Sequence, residues 1–141
     1  MAYQLAVFVE NKPGRLARVT ELLAEATINV RAVTIADARD FGLVKVIVDK
    51  PGEAVEVLEH DGFTVKRQEV LAVGVEDEPG GLHTVLKTLA DHGLNVKDAY
   101  GFIEESRCRA ILILEVEDFQ KALNTVEKAG IRSLEDELYQ L

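Results

Sequence analysis

Leu5, Val7 and Val9 recur at every second position, the pattern of a strand with one buried face. Asn11-Lys12-Pro13-Gly14 breaks that pattern: proline suits the first central position of a type I or II turn, and glycine tolerates positive φ at the second. Beyond the turn, Leu16, Val19, Leu22, Leu23 and Ala26 fall on one face at helical spacing, which predicts a helix to about Ala26. Asn29 to Ile35 and Leu43 to Val48 read as two further strands joined by a polar loop, Asp37-Ala38-Arg39-Asp40. A Pro51-Gly52 turn opens a second helix near Glu53, with Ala54, Val57 and Leu58 on one face and Gly62 as its C-terminal glycine. Phe63 to Glu69 completes the series as a fourth strand. Right-handed crossovers turn β-α-β-β-α-β into a four-stranded antiparallel sheet with both helices on one face, the ferredoxin-like arrangement.

The pattern then starts again. LAVFVENKPGRLARVTELLAEATINV (residues 5–30) aligns without a gap to LAVGVEDEPGGLHTVLKTLADHGLNV (71–96), an offset of 66 residues. The second copy predicts a strand at 71–76, a turn at 77–81, a helix at 82–92, strands at 95–102 and 109–116, a helix at 119–129 and a strand from Ile131. Two added residues near Glu117-Asp118 bring Ala54 onto Ala122 and Gly62 onto Gly130. The fold class is therefore α+β, two tandem ferredoxin-like βαββαβ domains over 1–70 and 71–141. No linker separates them, since Val70 leads directly from the last strand of one into the first strand of the next. That junction points to fixed packing, with sheets joined within the chain and a homodimer built on top, because exposed sheet edges invite pairing.

Composition narrows the function. At 48% hydrophobic and 29% charged residues the chain is globular, and no apolar run reaches the ~18 residues of a membrane span. Net charge is −9, and it is uneven: 9 Lys/Arg against 11 Asp/Glu in residues 1–70, and 7 against 14 in 71–141. Such a surface disfavours nucleic acid, whose binding depends on neutralising phosphates. A lone Cys108 excludes an intrachain disulfide and the multi-cysteine zinc motifs, and a cytoplasmic protein is expected.

The turn that opens each helix carries the candidate chemistry. A helix starting just after Pro-Gly exposes unpaired backbone N–H groups and the positive end of its dipole, where an α-carboxylate fits. V-E-N-K-P-G-R-L followed by I-N-V (9–30), and V-E-D-E-P-G-G-L followed by L-N-V (75–96), resemble the opening of ACT domains, the amino-acid-sensing modules of biosynthetic enzymes. The serine-sensing domain of phosphoglycerate dehydrogenases shows a similar pattern. The resemblance covers nearly the whole chain and implies a ligand contacted by Asn11 and Asn29 in copy one, and by Asp77 and Asn95 in copy two. Around them stand Pro13, Gly14, Arg15 and Leu16, and Pro79, Gly80, Gly81 and Leu82. The expected pose puts the carboxylate on N–H groups of Gly14–Leu16 or Gly80–Leu82, and the ammonium on Asn11 or Asp77 with Asn29 or Asn95 completing a polar ring. Asn11 and Asp77 also read as residues closing an Asx turn, and Asn29 and Asn95 as residues tolerating left-handed backbone. The copies differ: Asn11-Lys12 becomes Asp77-Glu78, and Arg15-Leu16-Ala17 becomes Gly81-Leu82-His83.

Other features read more plainly. His60, His83 and His92 lack paired metal spacing. Cys108 between Arg107 and Arg109 has no catalytic partner motif, and Glu104-Glu105 and Glu117-Asp118 read as solvated turns. Tyr100-Gly101-Phe102 borders a pocket or packs. No nucleophile motif, phosphate loop or metal set is present, so neither enzyme activity nor a cofactor is expected. The resemblance implies a regulatory protein binding an amino acid at ACT-domain interfaces. The alternative it leaves is an accessory subunit of a metabolic enzyme, like the acetolactate synthase small subunits, acting by protein contact.

Overall fold

The computed structural model describes residues 2–105 and 109–134. Their elements are β1 (Ala2–Glu10), α1 (Arg15–Glu25), β2 (Val30–Ala38), β3 (Phe41–Val48), α2 (Pro51–His60), β4 (Thr64–Glu76), α3 (Gly81–Asp91), β5 (Val96–Glu105), β6 (Arg109–Val116) and α4 (Phe119–Lys128). The chain divides into two compact units, one of Tyr3–Gln68 and one running from Glu69 with Ala2.

In the first unit the strands lie in the order β2-β3-β1-β4. Leu5 faces Val46 and Val7 faces Val44 across β1 and β3. Because the side chains of a strand alternate between faces, one side of the sheet collects Leu5, Val7, Val9, Val44, Val46 and Val48. The apolar stripes of both helices close over it: Val19, Leu22 and Leu23 from α1, Ala54 and Leu58 from α2. The loop expected at 37–40 is shorter in the structure. Asp37 and Ala38 stay in the ladder opposite Gly42 and Phe41. The Asp37 carboxylate accepts the Arg39 N–H at 2.9 Å, and Arg39 has a φ of 67°. A two-residue hairpin therefore does the work assigned to a four-residue loop.

The second unit repeats the plan as β5-β6-β4. Leu71 and Val73 pair with Leu114 and Leu112, and Ala99 and Gly101 pair with the same two leucines from the other side. Val85 and Leu89 of α3 and Ala122 and Val126 of α4 cover this face. Of the strand expected from Ile131, the described part makes a single bridge, Val73 to Ser133. It is held by Gly74 N–H to Arg132 O at 2.9 Å and Leu134 N–H to Ala72 O at 2.8 Å. The rest of that strand lies outside the described residues.

The strands expected at 63–69 and 71–76 form one 13-residue strand, β4. No glycine or proline occurs between Thr64 and Val73 to break the extended backbone. Its first half belongs to one βαββαβ unit and its second half to the other.

Candidate functional site

The turn between β1 and α1 is built by Gly14, which adopts a left-handed φ of 87° as the N-cap and so reverses the chain at no steric cost. Lys12 N–H donates to Glu10 O at 2.8 Å and Arg15 N–H to Lys12 O at 3.3 Å. Asn11 ties this turn to the hairpin of the same unit. Its backbone N–H donates to Asp40 O at 2.8 Å and its Nδ2 to Arg39 O at 2.9 Å. With the amide nitrogen so used, Oδ1 is the end of Asn11 suited to an incoming donor such as an ammonium. The first helical bond runs from Arg18 N–H to Gly14 O at 3.0 Å, so the Leu16 and Ala17 N–H groups precede any helical acceptor.

The turn between β4 and α3 copies this backbone. Gly80 is the left-handed N-cap, φ 88°. Glu78 N–H donates to Glu76 O at 2.9 Å, Gly81 N–H to Glu78 O at 3.1 Å and Thr84 N–H to Gly80 O at 3.0 Å. Leu82 and His83 thus hold the early N–H groups here. Pro13 and Pro79 lie exposed at the turns.

The side chains around the two turns part company. In copy one the Arg15 guanidinium lies over the Phe63 ring, 4.9 Å from its centroid, and its Nε is buried without a hydrogen-bond partner. Arg18 reaches Asp61 at 2.9 Å and Glu21 at 2.6 Å. Its hydrogen bond holds the Asp61 carboxyl below the usual carboxylate range, and Lys12 does the same for Glu10, 3.1 Å away. In copy two Gly81, Thr84 and Ile131 stand at the positions of Arg15, Arg18 and Phe63. A Cβ at Gly81 would overlap the Glu76 carbonyl oxygen, so this turn closes on itself where copy one carries an arginine.

Asn29 and Asn95 sit elsewhere. Asn29 N–H donates to the Asp49 carboxylate at 3.0 Å, and Asp49 N–H donates back to Asn29 O at 3.1 Å. Asn11 and Asn29 are therefore at opposite ends of α1, whose 11 residues span about 16 Å at ~1.5 Å per residue. Asp77 and Asn95 are likewise separated by α3. Within one copy, then, the two members of each pair flank opposite ends of the same helix.

The second unit has a cavity of about 380 Å³ between α3 and the β5–β6 ladder, beginning at Asp77 and walled by Leu82, Leu86, Tyr100, Phe102 and Ile111. Sequence reasoning marked Tyr100 and Phe102 as possible pocket borders but missed Leu86 and the strand around them. The missed signal lies in the 66-residue offset, which sets Ala99 and Gly101 against Val33 and Ile35. Burial, with Asp98 and Glu115 nearby, raises the Tyr100 phenol above its ordinary range. A second depression of about 410 Å³ lies across the Gly80 turn, lined by Gly80, Gly81, Ile131 and Arg132.

His60, His83 and His92 are exposed, with His92 Nδ1 2.8 Å from Thr88 O. Among the described residues no three His, Cys, Asp or Glu side chains gather as a metal site, and no helix is long and apolar enough to cross a membrane. Asp118 is the N-cap of α4, accepting the Lys121 N–H at 3.1 Å. Arg107 and Cys108 lie outside the described residues, and Glu104 and Glu105 end β5.

A family model described as an ACT domain pair matches residues 1–139. Protein BT0572 from Bacteroides thetaiotaomicron is 32% identical in a comparison covering 99% of this chain and 96% of that one, with a TM-score of 0.91. The ligand-free regulatory subunit of aspartate kinase from Thermus thermophilus is 23% identical over 91% and 92% of the two chains, TM-score 0.68. A structure of aspartokinase alpha and beta subunits is 17% identical over 91% and 95%, TM-score 0.60. These last two likenesses concern the fold alone. No curated protein matches the chain.

Proposed function

The chain belongs to the ACT domain-pair family, and from that premise we propose that it is a non-enzymatic regulatory protein that binds an amino acid at the turn opening α1 or α3. One observation carries the reading. Both turns combine a left-handed N-cap glycine, early helical N–H groups suited to a carboxylate, and Asn11 or Asp77 as an acceptor for an ammonium. The protein works in the cytoplasm as a homodimer, and its output is the activity of a metabolic enzyme. That the same fold serves as a regulatory subunit of aspartate kinase in Thermus thermophilus supports this. Ligand binding changes the output only if the amino acid has different affinities for two arrangements of the protein.

A second reading, an accessory subunit acting by protein contact without a ligand, has its own observation. The outermost strands β2 and β5 carry exposed Val33, Ile35 and Ile103, a surface that another chain can cover.

A thermal-shift screen against the twenty amino acids separates the two. A ligand at 100 times its dissociation constant adds about 2.7 kcal/mol of stability, and calorimetry on Asn11→Ala, Asp77→Ala and the double variant then locates it. Losses of about 1–3 kcal/mol in binding are expected at the turn that is used. No shift with any amino acid, or full affinity in the double variant, overturns the ligand reading.

A further inference from the structure

The two copies share a backbone and differ in the wall between their first helix and the following strand. Val33 and Ile35 pair with the core residues Val46 and Val44, so they stand on the helix side of the first sheet. Ala99 and Gly101 pair with Leu114 and Leu112, which belong to the second core, so they stand on the same side of the second. Two branched side chains in one copy thus correspond to a methyl group and a hydrogen atom in the other. The cavity of about 380 Å³ opens at this place, between Leu82 and Leu86 of α3 and the strand carrying Ala99 and Gly101. That size lies at the small end of ligand pockets, roughly 300–1,000 Å³.

Charge identifies the occupant. Glu76, Asp77 and Glu78 line the end of the cavity beside the turn, and none of its described lining residues is a lysine or an arginine. Copy one has Glu10, Asn11 and Lys12 at these positions, with Lys12 Nζ 3.1 Å from Glu10. Arg109 stands opposite Glu76 across the ladder, yet three acids against one arginine at the rim of an apolar hollow still favour a positive charge and oppose a negative one. An amino acid therefore enters with its apolar side chain against Leu82, Leu86 and Leu112 and its ammonium toward Asp77. Its own carboxylate is left to the early N–H groups of α3 at Leu82 and His83, which precede the first helical bond from Thr84 to Gly80.

We propose that the second copy holds the ligand site, in the cavity between α3 and β5, and that the feature recognised is an ammonium on a compact apolar body. This rests on the reading of the chain as an amino-acid binder and adds which copy binds and which part of the molecule is read.

Calorimetry on the intact chain with leucine, 3-methylbutylamine and 4-methylpentanoate tests it, since the three share a branched body and differ in their charged groups. The expected result is one site per chain that takes both leucine and the amine and rejects the acid. Ala99→Ile restores a branched side chain to the wall, and Asp77→Asn removes one rim charge. Each should weaken amine binding at least about tenfold, while Glu53→Gln, the same charge change on α2, leaves it unaltered. Circular dichroism melts confirm that each variant is folded. Binding of the acid as tightly as the amine, or full affinity in Ala99→Ile, overturns the proposal. If amino acids bind and only Asn11→Ala abolishes it, the cavity assignment falls while the amino-acid reading stands. If the amine binds at the cavity and no amino acid does, the amino-acid reading falls and the cavity assignment stands. No binding of any probe overturns both.

Discussion

The guanidinium of Arg15 lies 4.9 Å from the centroid of the Phe63 ring. This one relationship divides the two halves of a repeated chain. It joins the first residue of α1 to the residue before β4, and copy two replaces it with Gly81 and Ile131, a pair that can make no such contact.

Arg15→Ala is accordingly expected to lower the stability of the first unit by about 0.5–1 kcal/mol, the usual size of a partly exposed cation–π contact. Arg15→Lys should keep part of it. Urea unfolding followed by circular dichroism reads both, and an unchanged midpoint in Arg15→Ala would show that the ring contact contributes nothing.

Gly81→Ala and Gly52→Ala should move stability in opposite directions. A methyl at Gly81 overlaps the Glu76 carbonyl, whereas a methyl at Gly52 meets nothing within 4 Å. The first change forces the turn apart at about 1–3 kcal/mol. The second removes unfolded-chain freedom in the first turn of α2 and stabilises by about 0.4–1 kcal/mol. Paired melts of the two variants check the signs.

Leu58→Ala and Leu89→Ala each empty a fully buried site in a separate core. Each should cost about 2–5 kcal/mol. Chemical denaturation measures the loss, and a cost under 1 kcal/mol at either site would mean that its core collapses around the gap.

Acid should expose the Arg18–Asp61 pair. Arg18 holds the Asp61 carboxyl below its ordinary range, so the folded state binds that proton less readily than the unfolded chain does. The contribution is fully present above the unfolded value, near pH 4, and disappears as the pH falls through the lower folded value. Asp61→Asn should therefore flatten the acid limb of a stability-against-pH curve and leave its alkaline limb unchanged. The pair is exposed, so 1 M salt should shrink the difference.

Much of this fold was legible because side-chain period reports burial directly. Leu5, Val7 and Val9 gave β1, and the stripe Val19, Leu22 and Leu23 gave the buried face of α1. The hairpin was misjudged because Asp37 and Ala38 are poor strand formers by type, yet ladder partners at Phe41 and Gly42 hold them extended. β4 read as two strands because the repeat boundary falls inside it, and a boundary in sequence need not bend the backbone. Asn29 and Asn95 matched a pattern of residues, but pattern spacing carries no direction. The length of α1 sets Asn11 and Asn29 at its two ends. The cavity stayed hidden for a related reason: it is made by what Ala99 and Gly101 lack.

A wall thinned in this way has a cost when nothing fills it, since Ala99 and Gly101 leave the backbone of β5 exposed to water. The flank formed by α3 and β5 is then the least braced part of its unit, the place where the backbone opens first. Amide hydrogens along Ala99–Ile103 should exchange with deuterium sooner than those along Val33–Asp37, where branched side chains, though half exposed, still stand over the ladder. An occupant of the cavity would slow that exchange. In such a chain the weak side is the responsive side, and the sturdier copy is the reference against which the response is made.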